Sequence, residues 1–193
     1  MKWHVIVICM VVITTIAACG CTSVPVNQTR TGGPVIPATG NLTLGTTAFP
    51  EGGPIPDMYS CKGQNISPPL SWQKVPAGAR SLALIAVDTD APLPGGFTHW
   101  IVYNIPVNST GLPADQPKVS ILPDGIGQGT NSAGGVGYTG PCPSAGSTHH
   151  YHFRLHALDT LLDIGGSVNR GMLESAMQGH VLESTELVGA FSR

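Results

Sequence analysis

One aliphatic segment, SLALIAVD at Ser81–Asp88, constrains the fold more than any other part of the chain. It has the length of a strand, and its lack of a polar face is typical of a strand covered on both sides. The predicted partner is HWIVYNIP at His99–Pro106, a second strand-like run that follows after a loop. We therefore expect a hairpin of two adjacent antiparallel strands inside a β-rich domain.

The segment HYHFRLHALD, at His150–Asp159, alternates between apolar and polar residues as a half-buried strand does. Its predicted inner face carries Tyr151, Phe153, Leu155 and Ala157. Its predicted outer face carries His150, His152, Arg154 and His156. By the same parity, His149 points with the apolar set.

The C-terminal region predicts a short helix and then a strand. Asn169 is a residue type that caps helices, and it precedes residues at helical spacing, namely Met172, Leu173, Ala176, Met177 and His180. The closing segment ELVGAFSR, 186–193, and the segment NLTLGTTAF, 41–49, resemble strands. Because the chain also has 25 glycines and 17 prolines, we expect a mostly β protein with many turns and one or two short helices.

The N-terminal segment is predicted to lie outside this fold. VIVICMVVITTIAA, at 5–18, is uninterrupted and apolar but shorter than the roughly 20 residues that a spanning helix needs. It predicts a signal peptide at 1–18, with small residues placed before Cys19 as in the lipobox of prokaryotic lipoproteins. Cys19 is then the lipidated residue and the membrane anchor; an uncleaved helical anchor and ordinary cleavage are the alternatives. All three send the domain out of the cytoplasm.

The next segment, 19–40, lacks hydrophobic periodicity and is rich in Thr, Pro and Gly, which predicts a flexible tether before a globular domain at 41–193. The net charge of −2 and the charged content of 10% provide no basic surface for nucleic acid and no polybasic membrane patch. Nucleic-acid binding is therefore not expected.

The predicted hairpin places carboxylates close to a histidine. Asp88 and Asp90 follow the first strand and His99 begins the second, so we expect Asp88 to raise the pKa of His99 and hold it cationic. A second segment, GYTGPCPSAGSTHHYHF at 137–153, has glycines and prolines that can present backbone amides to a ligand beside His149. Together these residues predict a small anion pocket.

Four sequence blocks carry a resemblance to a known family. They are DTDAP at 88–92 followed by HW at 99–100, the segment 137–153, CKGQNISPPLSW at 61–72, and MQGHVL at 177–182. In this order they resemble the phosphatidylethanolamine-binding protein family, in its prokaryotic branch described as Raf kinase inhibitor-like. The resemblance implies two packed antiparallel sheets with an anion pocket at one end. It also implies binding of phosphate-like groups, including phospholipid headgroups, and no cofactor.

The resemblance assigns the pocket to Asp88, Asp90, His99, Gly140, Pro141, His149 and Tyr151. Three residues depart from the family pattern. Thr89 and Ser144 each replace a proline, which loosens the loops, and His150 replaces an arginine, which removes an ion pair from the outer face. None of these departures removes a predicted ligand-binding residue.

The sequence leaves the pairing of the cysteines open and does not predict a metal site at the histidines. Cys61 and Cys142 can pair in an oxidising compartment, but relatives that look cytoplasmic carry similar cysteines, so the bonded and the free state both stay open. A metal site is not predicted, because alternation divides the histidines of 149–156 between two faces and no carboxylate near His150 and His152 is evident in the sequence.

These observations favour an exported, lipid-anchored binding protein that is not an enzyme. Hydrolysis would use Asp88 and His99 as acid and base with Ser144 or Ser147 as nucleophile, but the chain has no GxSxG elbow. The expected ligand is a phosphate-like anion, either a phospholipid headgroup or a phosphometabolite. The alternative is an extracellular module that inhibits a protease or a kinase-like partner, and a homodimer is compatible with either function.

Overall fold

The computed structural model describes residues 42–193. The predicted signal peptide, the lipidation site Cys19 and the tether lie outside the described residues. In the described part, no helix is both long enough and apolar enough to cross a membrane.

Within residues 42–193, eight strands form two antiparallel sheets, and one short α-helix packs against the larger sheet. The smaller sheet has the order β1-β2-β5 and the larger has the order β6-β4-β3-β7-β8. In chain order the elements are β1 (Thr43–Gly45), β2 (Leu70–Gln73), β3 (Ser81–Asp88), β4 (Phe97–Ile105), β5 (Gly111–Leu112), β6 (Gly127–Gln128), β7 (Thr148–Leu158), α1 (Arg170–Met177) and β8 (Val181–Ser192). The mostly β prediction with two antiparallel sheets is confirmed.

The predicted central hairpin is present. β3 pairs antiparallel with β4, with Ala86 opposite Trp100 and Asp88 opposite Phe97. All eight residues of β3 are buried, because the strand is covered on both faces. Leu84 packs in the apolar cluster between the sheets that contains Trp72 of β2, whereas Ile85 packs in a second cluster that contains Leu173 of α1.

β7 lies on the other side of β3 and fixes which residues face the core. Tyr151 pairs with Asp88, and the predicted inner-face residues Tyr151, Phe153, Leu155 and Ala157 are at most 1% exposed. The outer-face residues are half-buried or exposed. The period-2 alternation therefore identified both faces of this strand correctly.

The C-terminal region departs from the prediction in one respect. α1 begins after Asn169, whose side chain accepts a hydrogen bond from the amide of Met172 at 3.0 Å, as expected. His180 was predicted to continue the helical pattern, but the helix ends at Met177. Gly179 adopts a positive φ of 82° and reverses the chain. β8 then starts at Val181 instead of residue 186, because long-range pairing with β7 extends it.

Candidate functional site

A cavity of about 360 Å³ lies at one end of the larger sheet, where β3 ends and β4 and β7 begin. Its lining combines one carboxylate and two histidines with apolar residues and the loop that precedes β7. The lining residues are Asp88, Ala91, Pro92, Phe97, His99, Ala133, Thr139, Gly140, Cys142, Pro143, Ser144 and His149. The predicted residues Asp88, His99, Gly140 and His149 are therefore brought together.

Asp88 is 4% exposed and each of its carboxylate oxygens has a partner. Oδ1 accepts hydrogen bonds from the amides of Asp90 and Ala91 at 2.9 and 3.1 Å. Oδ2 accepts one from Nδ1 of His149 at 2.7 Å. Asp88 thus closes the turn after β3 and also orients His149 on β7, so that a single buried charge organises two walls of the cavity.

The hydrogen-bond partner of His99 differs from the predicted one. Its Nδ1 donates to the carbonyl of Thr139 at 2.7 Å, and its ring packs against Phe97 and edge-on against Tyr151, with centroid distances of 4.8 and 5.1 Å. The predicted pairing with Asp88 is wrong, because β7 flanks β3 on its other side and places His149 on that carboxylate.

The expected cationic state of His99 is also wrong. Burial lowers the pKa of His99, and the charge of His149 acts in the same direction. The hydrogen bond to Thr139 and the charge of Asp88 raise this pKa but do not overcome the burial. The imidazole of His99 is therefore neutral near pH 7, and it contributes a polar atom to the cavity without a positive charge.

The loop before β7 is held in place by the segment around residues 57–65. Gly140 donates its amide to Oδ1 of Asn65 at 2.6 Å, and the carbonyl of Pro141 accepts from the amide of Cys61 at 3.0 Å. Cys61 and Cys142 form a disulfide with a Cα–Cα distance of 5.4 Å. Because the amide of Gly140 is already engaged, it is not presented to a ligand as the sequence had suggested.

Three residues predicted for the pocket lie outside its lining. Asp90 points to the outer face, where its carboxylate accepts from the amide and Nδ1 of His150 at 2.8 and 2.7 Å, and the bonds to His150 lower the pKa of Asp90. Pro141 is buried in the loop. Tyr151 is 1% exposed, and its hydroxyl makes no hydrogen bond; burial, followed by the charge of Asp88, raises its pKa.

Comparison with known proteins identifies the family. The family model described as phosphatidylethanolamine-binding protein matches residues 45–192. The chain belongs to the phosphatidylethanolamine-binding protein family. A UPF0098 protein of Methanothermobacter thermautotrophicus is 50% identical over 152 residues, which are 79% of this chain and 99% of that protein. A UPF0098 protein of Pyrococcus horikoshii is 46% identical over 142 residues, 72% of this chain and 71% of that protein.

Solved structures place the chain in the prokaryotic branch. YbcL of Escherichia coli, described as a new member of the mammalian family, superposes with a TM-score of 0.74 at 29% identity, covering 80% of this chain and 99% of that one. A family homolog from Chlamydia trachomatis gives a TM-score of 0.70 at 39% identity, covering 79% of this chain and 97% of that one. The predicted resemblance and fold are thus confirmed.

The outer face of this family member carries ion pairs that the sequence did not reveal. His150 lies 2.7 Å from Asp90, and His152 lies 3.1 Å from Glu186. The expectations that these histidines lack a carboxylate neighbour, and that His150 removes an ion pair, are therefore wrong. Both carboxylates come from outside β7, since Asp90 follows β3 and Glu186 lies on β8. The alternation of residues within one strand cannot predict such neighbours. Within residues 42–193, no group of three or more His, Cys, Asp or Glu side chains is arranged to hold a metal ion.

Several lining residues were missed by the sequence reasoning. Phe97 contributes an aromatic wall, and Ala133 lies in a turn organised by the buried side chain of Asn131, which accepts from the amides of Ala133 and Gly135 at 3.0 and 3.2 Å. Thr139 supplies the carbonyl that orients His99. Apolar and backbone contributions of this kind have no sequence signature, because they depend on which loops meet in the fold.

Proposed function

We propose that this domain is a non-catalytic binding module for phosphate-like anions. The observation that carries the proposal is the Asp88–His149 pair, with an N–O distance of 2.7 Å, beside His99 in a cavity of about 360 Å³. A cavity of this size fits a phosphate group and a small substituent. Family membership supports the same class of ligand.

The polar atoms of the cavity are suited to holding an anion in a fixed place. The Nδ1 atom of each histidine is used within the protein, on Asp88 or Thr139, so Nε2 is the ring atom left for a ligand. The surrounding apolar residues, including Phe97 and Pro143, lower the local dielectric and strengthen any charged hydrogen bond.

The arrangement of the serines supports a role without catalysis. The hydroxyl of Ser147 donates to the carbonyl of Ser144 at 2.7 Å instead of to a histidine. Ser144 lines the cavity, but within residues 42–193 no hydrogen bond joins its hydroxyl to His99 or His149. A serine activated as a nucleophile is held within hydrogen-bond reach of its base.

We extend the proposal to location: the protein is exported and anchored by a lipid on Cys19. The apolar run at 5–18 and the small residues before Cys19 support this location. The Cys61–Cys142 disulfide supports it as well, since disulfides persist in oxidising compartments outside the cytoplasm. The ligand would then be met at the outer side of a membrane.

Titration calorimetry with inorganic phosphate tests the proposed ligand class. We expect wild-type affinity between micromolar and millimolar, and we expect His149→Gln to weaken it by about 1.5–3 kcal/mol, as for loss of a hydrogen bond to a charged group. Glutamine still offers a donor to Asp88, which limits effects on folding. The matched control His150→Gln alters the outer face and should bind as wild type. Equal affinities in all three proteins, or no binding, would reject the proposal.

A further inference from the structure

The protonation of His99 is fixed by its surroundings. A carbonyl oxygen only accepts hydrogen bonds, so the 2.7 Å contact with Thr139 requires the proton to lie on Nδ1. The ring is 5% exposed, and burial lowers its pKa. Near neutral pH the remaining ring nitrogen, Nε2, therefore carries a lone pair and no proton. It is a hydrogen-bond acceptor at the cavity.

The groups that face His99 do not reverse this state. Asp88 raises the pKa of His99, His149 lowers it, and burial has the largest effect. Tyr151 meets the imidazole edge-on at 5.1 Å, and Phe97 is apolar. Within residues 42–193, no side chain donates a hydrogen bond to Nε2. The acceptor is therefore left for a ligand.

His149 has the same pattern of hydrogen bonding. Its Nδ1 donates to the carboxylate of Asp88, so its Nε2 carries a proton only when the ring is cationic. The cavity thus offers at least one obligatory acceptor, His99 Nε2, next to a second histidine that is held by its hydrogen bond to Asp88. A complementary ligand combines a negative charge with a proton that it can donate.

Oxyanions differ in whether they meet this requirement. Inorganic phosphate keeps at least one P–OH group across the neutral range, and a phosphomonoester keeps one below its second pKa of about 6. Sulfate and phosphodiesters have no such proton at these pH values. Either of them would place an oxygen lone pair against the lone pair of His99 Nε2, which leaves a desolvated polar atom unpaired.

We propose that His99 makes the cavity selective for phosphoryl groups that carry a proton, so that inorganic phosphate binds across the neutral range and phosphomonoesters bind at and below about pH 6, while sulfate and phosphodiesters are rejected. This inference rests on the proposed anion-binding function and adds a specificity to it. It favours a phosphomonoester over the phosphodiester headgroup of a phospholipid such as phosphatidylethanolamine.

Two ligand pairs test the selectivity on the wild-type protein by titration calorimetry at constant ionic strength. At pH 7.5 we expect phosphate to bind at least about tenfold more tightly than sulfate, as for an analogue that leaves a buried polar group unpaired. At pH 6, the affinity for phosphoethanolamine should exceed the affinity for glycerophosphoethanolamine by a similar factor. This second pair separates a soluble phosphomonoester from a lipid headgroup.

The pH dependence of ligand affinity provides a further test of the selectivity. Between pH 6 and pH 8 phosphoethanolamine loses its P–OH proton, since its second pKa is about 6, and its affinity should fall. Inorganic phosphate retains a proton over the same range, and its affinity should change less. If the two affinities change in parallel, a protein group and not the ligand proton controls binding, which would overturn the proposal.

The variant His99→Gln places an amide, which can accept or donate, where Nε2 of the imidazole only accepts. We expect the ratio of phosphate to sulfate affinity to shrink to about threefold or less, while His150→Gln keeps the wild-type ratio. Circular dichroism checks the fold of each variant, and the wild-type ligand pairs decide the question if His99→Gln does not fold. Equal wild-type affinity for phosphate and sulfate overturns the selectivity but leaves anion binding intact; binding of neither ion overturns both.

Discussion

The Nδ1 atom of His149 lies 2.7 Å from Oδ2 of Asp88, and this bond joins strands β7 and β3 at one end of the larger sheet. The carboxylate has two further bonds, to the amides of Asp90 and Ala91. A buried charge is tolerated when both carboxylate oxygens accept hydrogen bonds. Asp88 therefore serves the stability of the domain as well as the geometry of the cavity.

Replacement of Asp88 should cost stability in proportion to the bonds that are lost. We expect Asp88→Ala to destabilise the domain by about 3–5 kcal/mol, because three hydrogen bonds to a buried carboxylate are lost. Asp88→Asn should cost less, because its amide oxygen still accepts from the two backbone amides. Urea denaturation followed by circular dichroism measures both changes.

The control for these variants is Asp90→Asn. Its ion pair with His150 has exposed fractions of 42% and 54% for the two side chains, so its loss should change stability by about 1 kcal/mol or less. If Asp90→Asn cost as much as Asp88→Ala, burial would not be what distinguishes the two pairs.

The disulfide should contribute strongly to stability. Cys61 and Cys142 are separated by 81 residues, and the chain-entropy model assigns a loop of that size about 4–5 kcal/mol. We expect the double variant Cys61→Ser/Cys142→Ser to lose stability of that order in denaturant titrations. Because Cys142 also lines the cavity, the affinity of the double variant for phosphate should fall as well. A loss below about 1 kcal/mol would contradict the entropic account.

The local periodicity of the sequence predicted much of the fold and part of the site. Alternation in β7 placed His149 and Tyr151 on the inner side, and the aliphatic run of β3 predicted a strand covered on both faces. These predictions were reliable because burial of apolar side chains depends on a period that the sequence displays directly.

The hydrogen-bond partners within the site were not predictable in the same way. Asp88 was expected to pair with His99 because the two residues share a hairpin. Its carboxylate instead accepts a hydrogen bond from His149, which lies on β7, the strand on the other side of β3. The predicted charge state of His99 was wrong for a related reason. The pKa of His99 depends on its burial by Phe97, Tyr151 and the loop at Thr139. Such contacts arise only when distant segments meet.

The predicted lipid anchor can be tested on the full chain, produced with its own N-terminus in a bacterium that processes lipoproteins. We expect intact-mass analysis to show a chain that begins at a lipid-modified Cys19 and partitions with membranes. Cys19→Ser should leave the membrane fraction, whereas the matched variant Cys21→Ser should remain in it. A mature protein that retains Met1, or a Cys19→Ser variant that fractionates as wild type, would rule out this anchor.

The outer face predicts a small, acid-sensitive contribution to stability at Glu186. Its Oε1 accepts from Nε of Arg154 at 2.7 Å and lies 3.1 Å from Nδ1 of His152. Burial raises the pKa of Glu186, but the hydrogen bond from Arg154 and the close approach of His152 outweigh it, so the pKa lies below the ordinary value of 4.5.

A carboxyl whose pKa is lower in the folded state stabilises the fold above its unfolded pKa, and this contribution is lost as the pH falls through the folded pKa. We therefore expect Glu186→Gln to cost up to about 1 kcal/mol at pH 7, as for exposed ion pairs. The difference from wild type should shrink as the pH falls below 4.5, the ordinary pKa of this group. Denaturant titrations of the wild type and of Glu186→Gln across this pH range measure the difference. A Glu186→Gln difference that grew on acidification would contradict the sign of the argument.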